Sequence, residues 1–181
     1  MGTIREAIPV KPVCAVTFVE DVDFSEVVEE LEKVLGPVEE RTPIFDFSFT
    51  TYYREEMGAE LKKVFVSFVE LIDPGNLPKI KRKTNLIEES WSVEGKRQIN
   101  LDPGYIAGAK LVLASTKDFA HRIFLGDGIY GDVQLQFRQN CFRTEKWTFP
   151  DYQTHTAMEF FERVRKKYVR EVKNDARGDE L

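Results

Sequence analysis

The chain is poor in the residues from which metal centres and covalent catalysts are most often built. Among its 181 residues are two histidines, two cysteines and two tryptophans. Cys14 and Cys141 stand far apart and in no metal-ligand spacing, which excludes a zinc site built on paired cysteines. Cys14 lies inside the apolar run VCAVTFV, so a reduced, buried thiol is expected rather than half of a disulfide. There is no GxxxxGK[ST] loop to wrap phosphates in backbone amides, and no RNP-like basic-aromatic string. No apolar run is long enough to cross a bilayer, and the first residues show no charged-then-apolar signal pattern. A chain without a membrane partner, located in the cytoplasm, is therefore expected. The net charge of −5 argues against wholesale binding to phosphate backbones, though a local basic patch is compatible with it.

What is present suffices for one globular domain with a real core: 42% of residues are hydrophobic and 31% charged. After a lead-in over residues 1–11, residues 13–19 form a β-branched apolar run of the kind that becomes a central strand. Asp23 reads as an N-cap with Glu26 as its box partner, and Gly36-Pro37 ends the helix they begin. Phe45, Phe47 and Phe49 alternate with polar residues, which predicts a half-buried strand. Residues 52–58 read as a turn or a single helical turn. Residues 63–71 fit either period, and their β-branched and aromatic content favours a strand. A second helix starts near Asn76 and carries Lys79, Lys81, Arg82 and Lys83 in its opening turns. That run is either a solvated face or an anion site at a helix start.

Strand, helix, strand, strand, helix, strand is the βαββαβ order of a ferredoxin-like sheet, which residues 13–101 would form. Residues 102–173 are β-rich, with strands over 110–115, 121–125, 129–138 and 141–147, and hairpin turns at Gly126-Asp127-Gly128 and Gln139-Asn140. Thr156 and Glu159 read as the capping box of a last amphipathic helix carrying Phe160, Val164, Tyr168 and Val172. Residues 174–181 read as a flexible tail. The expected fold class is α+β: a ferredoxin-like half, a β-rich extension and a closing helix, in one domain.

Polar groups capable of chemistry are densest between Lys96 and Arg138. Asp102-Pro103-Gly104-Tyr105 reads first as a tight turn, with Asp102 bonded to its own backbone; otherwise Asp102 is a base or an orienting carboxylate at a strand end. Lys117, His121 and Arg122 flank a strand connection and could converge on a phosphate or carboxylate. His121 could serve as an acid or base; a satisfied structural histidine is the plainer reading. In a regular strand His121 and Arg122 face opposite ways, so His121 is expected to face Lys117. Arg97, Tyr105 and Asp132 complete the candidate ligand contacts. Asp102, His121 and Asp132 could hold a metal, but nothing in their spacing requires one and none is assigned.

Several strings in order resemble a bacterial family of unknown function over nearly the whole chain. They are Thr51-Tyr52-Tyr53 with Glu56-Met57-Gly58, Lys83-Thr84-Asn85 with Glu88, and Asn100-Leu101-Asp102-Pro103-Gly104-Tyr105. Ala114-Ser115-Thr116-Lys117, His121-Arg122-Ile123, Gly128-Ile129-Tyr130, and Trp147 with Pro150-Asp151-Tyr152 follow. The resemblance implies no established activity. Members are sometimes labelled GTP-binding proteins, and Thr116-Lys117-Asp118 is similar to a base-reading motif. Asp118 follows the lysine directly, however, rather than one residue later, so the label is not carried over. Two functions are expected from the residues. One is an enzyme or binder for a small anionic metabolite, phosphorylated or nucleotide-like, with Lys117, Arg97 and Arg122 on the anion and His121 and Asp102 as acid and base. The other is a non-catalytic interaction module for RNA or protein. The residues name no cofactor and no oligomeric state.

Overall fold

The computed structural model describes residues 2–178. Strand β1 (Lys11–Val19) is buried along almost its whole length. It has no apolar alternation because both its faces are covered: Cys14, Val16 and Phe18 turn to one side, Val13 and Ala15 to the other. The lead-in ends one residue earlier than the sequence suggests, since Lys11 is fully buried in the strand. Helix α1 (Phe24–Leu35) follows. Asp23 Oδ1 accepts from the Ser25 N–H at 2.9 Å to cap it, and Gly36, at φ 80°, ends it.

Strand β2 (Val38–Arg41) has the sequence VEER, which lacks any strand signature; pairing with a later strand makes it. Strand β3 (Phe45–Phe47), the short helix α2 (Arg54–Met57) and β4 (Leu61–Phe68) come next, so the ambiguous stretch is a strand. A 3-10 turn over Pro74–Asn76 leads into α3 (Leu77–Ser90). A small hairpin of β5 (Ser92–Val93) and β6 (Lys96–Arg97) precedes β7 (Ile99–Ala107), β8 (Lys110–Ser115), β9 (Arg122–Gly126), β10 (Ile129–Arg138) and β11 (Cys141–Thr144). Helix α4 (His155–Gly178) closes the fold. Its cap is Thr154, whose hydroxyl accepts from the Ala157 N–H at 3.3 Å, rather than Thr156. The helix continues past Asn174; of the expected flexible tail, residues 179–181 lie outside the described residues.

The large sheet is antiparallel, in the order β11-β10-β8-β7-β1-β4-β2, with β3 also beside β4 and β9 also beside β10. Helices α1 and α3 cover one face through Val27, Leu31, Ile80 and Ile87. Helix α4 covers the other through Ala157, Phe160, Phe161, Val164 and Tyr168, packed on Phe65, Ile106, Leu111, Leu113 and Leu135. Burial of each such large side chain is worth about 2 kcal/mol. The fold is thus α+β, with a large antiparallel sheet between helices. Both cysteines are free, and burial pushes the Cys14 thiol far above its ordinary pKa. Among the described residues no helix is long and apolar enough to cross a membrane.

Candidate functional site

The sheet parts at one place. Strand β8 pairs with β7 over Gly104 to Ala107, leaving the earlier residues of β7 bonded to β1 alone. Side chains of α3 take the missing strand's role: Glu88 Oε1 accepts from the Leu101 N–H at 2.9 Å, and Lys81 Nζ donates to Leu101 O at 2.6 Å. Lys81 and Glu88 stand two helical turns apart, hence on one face of α3, and both are buried. Pro103, which has no N–H to offer, sits where the strands separate. At Gly104 they close again so tightly that a Cβ would lie 2.3 Å from Val112 O. Asp102-Pro103-Gly104-Tyr105 is therefore strand, not the turn its composition suggests.

A charged cluster lines this parting. Arg97 donates to both oxygens of Glu56, Nε to Oε1 at 2.5 Å and Nη2 to Oε2 at 2.7 Å. Its Nη1 reaches Glu88 Oε2 at 2.5 Å and Asn100 Oδ1 at 3.2 Å, and Asn100 Nδ2 donates to Asp102 Oδ2 at 2.9 Å. The guanidinium holds the Glu56 carboxyl below its ordinary pKa, and Arg97 is raised in turn, chiefly by its bond to Glu56. Tyr53, beside the cluster, has its phenol pKa raised by burial first and by the Asp102 charge second.

A second cluster lies beyond β8, on β10. Asp132 is 1% exposed; its Oδ2 accepts from Arg122 Nε at 2.7 Å and its Oδ1 from Gln134 Nε2 at 2.8 Å. His121 Nε2 stands 3.6 Å from the same Oδ2. Because β9 begins at Arg122, His121 is outside the regular strand, and both side chains converge on Asp132 instead of facing opposite ways. The imidazole is stacked on Trp147 at 4.9 Å and on Phe119 at 6.0 Å. Arg122 Nη1 also donates to Ser115 Oγ at 2.8 Å and Lys117 O at 3.0 Å, which shapes the loop that presents Lys117. Lys117 Nζ lies 4.1 Å from the centroid of the Tyr52 ring and bonds the phenol oxygen at 2.5 Å. The Tyr52 and Tyr53 rings, centroids 5.0 Å apart, connect the two clusters.

Beneath Tyr53 runs a polar row across three strands, Asn100, Thr17 and Lys63, directly opposite one another in register. Lys63 is 3% exposed and pairs with Asp151 at 2.7 Å, beneath the rings of Phe47, Phe65 and Tyr152. Thr17 Oγ1 and the Tyr152 hydroxyl are buried with no hydrogen-bond partner among the described residues.

The expected residues are thus only partly brought together. Asp102, Arg97, His121, Arg122, Asp132 and Lys117 share one region of the sheet, but Asp102 and His121 belong to separate clusters. Tyr105 faces the other way, packed with Leu77, Val112 and Ile129 under α3. Arg97 and Arg122 are each held by carboxylates, whereas Lys117 has no carboxylate against it among the described residues. Sequence reasoning missed Glu56, Asp151, Tyr52 and Ser115 as participants, although the family-like strings contain all four. Lys63 was detectable by period: in LKKVFVSF it shares a face with Leu61 and Phe65. A surface depression of about 650 Å³ lies apart from these clusters, lined by residues including Phe18, Phe24, Ile44, Asp46 and Lys62. Among the described residues no three His, Cys, Asp or Glu side chains are grouped to hold a metal.

Comparison with known proteins adds a family but no activity. No curated protein and no solved structure matches the chain. The strings that run from Thr51 to Tyr152 fall within residues 8–168, which a single family model matches. The chain belongs to the family described as Domain of unknown function (DUF4416).

Proposed function

We propose that the chain binds a small anionic metabolite, phosphorylated or nucleotide-like, at the junction of the two clusters, with Lys117 as its primary anion contact. One observation carries this reading: of the cations Arg97, Lys117 and Arg122, Lys117 alone stands near the surface and, among the described residues, without a carboxylate. An ammonium in that state gains more from an anion than a guanidinium already forked onto a carboxylate. Arg122 serves the anion indirectly, by holding the loop of Ser115 and Lys117 in place. The stacked His121 and the half-exposed Asp102 are the acid and base available if the ligand is transformed. The first half of the chain reads as ferredoxin-like, supported by the order β7-β1-β4-β2 and by α1 and α3 sharing a face.

The test is a thermal-shift screen against nucleoside phosphates, sugar phosphates and dicarboxylates, with Lys117→Ala and His121→Ala alongside. A ligand that binds only the folded state raises the melting temperature. The reading expects a shift from a phosphorylated compound that Lys117→Ala abolishes. A shift that survives Lys117→Ala would move the site elsewhere, and no shift from any anion would end the reading.

The alternative, a non-catalytic interaction module, draws support from β9, whose apolar residues are exposed. For an RNA partner the available cations are Lys79, Arg82 and Lys83, because Lys81 is buried against Leu101. Salt-sensitive RNA binding, weakened by reversing the charge of Lys83, is the observation that would favour it.

A further inference from the structure

Strand β9 is finished unlike any other part of the sheet. It lies outside the first residues of β10, and among the described residues no strand pairs with its other side. Ile123, Phe124 and Leu125 are 70%, 59% and 42% exposed, and Phe119, just ahead, is 54% exposed. Both faces expose apolar side chains: Ile123 stands opposite Gly131, over which Leu125 also lies, while Phe124 packs against Tyr130 on the opposite face. The strand contains no Lys or Pro to repel a neighbour, and its single charge, Arg122, is turned inward onto Asp132. A free, uncharged, apolar edge is a template for another strand.

We propose that this edge pairs antiparallel with β9 of a second copy, about a two-fold axis at Phe124. The pattern is self-complementary in that register. Ile123 falls opposite the partner's Leu125, and Arg122 opposite the partner's Gly126, so no like charges meet. The apolar surface exposed here is large: at about 200 Å² for a whole aromatic side chain, Phe119 and Phe124 expose about 230 Å² in each copy. Pairing covers the flanks of Phe124, Ile123 and Leu125 that face the neighbouring strand, together with the backbone edge, in both copies. Pairing is independent of the anion reading, and either can fail alone.

Sedimentation velocity from low to high micromolar concentration tests it, with Ile123→Lys as the disrupting variant and circular dichroism to check that the variant folds. The expected result is a dimer whose mass halves in Ile123→Lys. Geometry is tested by Phe124→Cys in a Cys141→Ser background. Antiparallel pairing about Phe124 brings the two new thiols within disulfide reach, so mild oxidation should link the copies in high yield. A wild-type monomer throughout the range overturns the proposal. So does a dimer that survives Ile123→Lys, or one in which Phe124→Cys does not cross-link, since each points to a different interface.

Discussion

Two edge strands of the sheet, β2 and β9, are finished by opposite means. On the β4 side, β2 presents Glu39, Glu40 and Arg41, and α4 reaches over to engage them: Lys167 Nζ meets Glu39 at 2.6 Å and Arg163 Nε meets Glu40 at 3.4 Å. Lys11 Nζ joins from β1, 3.5 Å from Glu39 and 2.8 Å from Glu171. On the β10 side, β9 shows three consecutive apolar residues and no charge directed outward. Strand β2 carries the charges that discourage strand addition, and β9 lacks them. The same contrast holds within the candidate site. Around Arg97 every cation is matched by an acid, while near β9 Lys117 is not. The difference separates regions whose charges the chain matches itself from regions where, among the described residues, it does not.

Breaking the completed side is expected to have the largest effect. Asp151→Ala removes the carboxylate paired with buried Lys63 on β4 and should lower unfolding free energy by about 3–5 kcal/mol, measured by urea denaturation. Replacing both partners with Leu and Met should recover most of that loss, because a matched apolar pair has no stranded charge. Glu39→Ala at the β2 edge should cost less, about 2 kcal/mol, since Lys11 keeps Glu171 and Val69 O. At the open edge, Ile123→Lys should change monomer stability by no more than about 0.5 kcal/mol, because the side chain is mostly solvated. A large loss there would mean that β9 is as closed as β2, and the contrast would disappear.

Acid titration sharpens the comparison further. Arg97 holds the Glu56 pKa below the ordinary 4.5, so the folded state binds this proton less readily than the unfolded state. The resulting stabilisation is fully present above the ordinary value and is lost as pH falls through the lowered one. Glu56→Gln should therefore differ from wild type at neutral pH and converge with it in strong acid; a constant difference across that range would mean the pair contributes nothing through its charge. The smallest effect concerns the thiols. Alkylation of the native protein should modify Cys141 and spare Cys14, whose pKa burial has raised, as peptide mass mapping would show.

Much of the fold was legible because its signals are local. Strand β1, helix α1 with its Asp23 cap, and the turns at Gly126-Asp127-Gly128 and Gln139-Asn140 follow from spacing and from residues that tolerate positive φ. Strand β2 was not legible, because VEER becomes a strand only by pairing with β4. Asp102-Pro103-Gly104-Tyr105 was misread for a related reason. Turn composition suits equally a strand that must lose an N–H at Pro103 and admit a neighbouring backbone at Gly104. In the site, the polar residues of the central stretch were found, but their pairing was not. The rule that sent His121 and Arg122 to opposite faces assumed a regular strand, and β9 starts one residue later.

The sequence by itself determined the α+β class, the family and the region that holds the polar clusters, because periodicity, caps and ordered strings are written residue by residue. Tertiary structure alone decided that β7 and β8 part, that Glu56 and Glu88 neutralise Arg97 while Lys117 meets Tyr52 and, among the described residues, no carboxylate, and that the apolar residues of β9 are exposed at the edge. Each of these depends on which groups meet across long stretches of chain. A charge's partner and a strand's neighbour are properties of distance in space, and spacing along the sequence does not contain them.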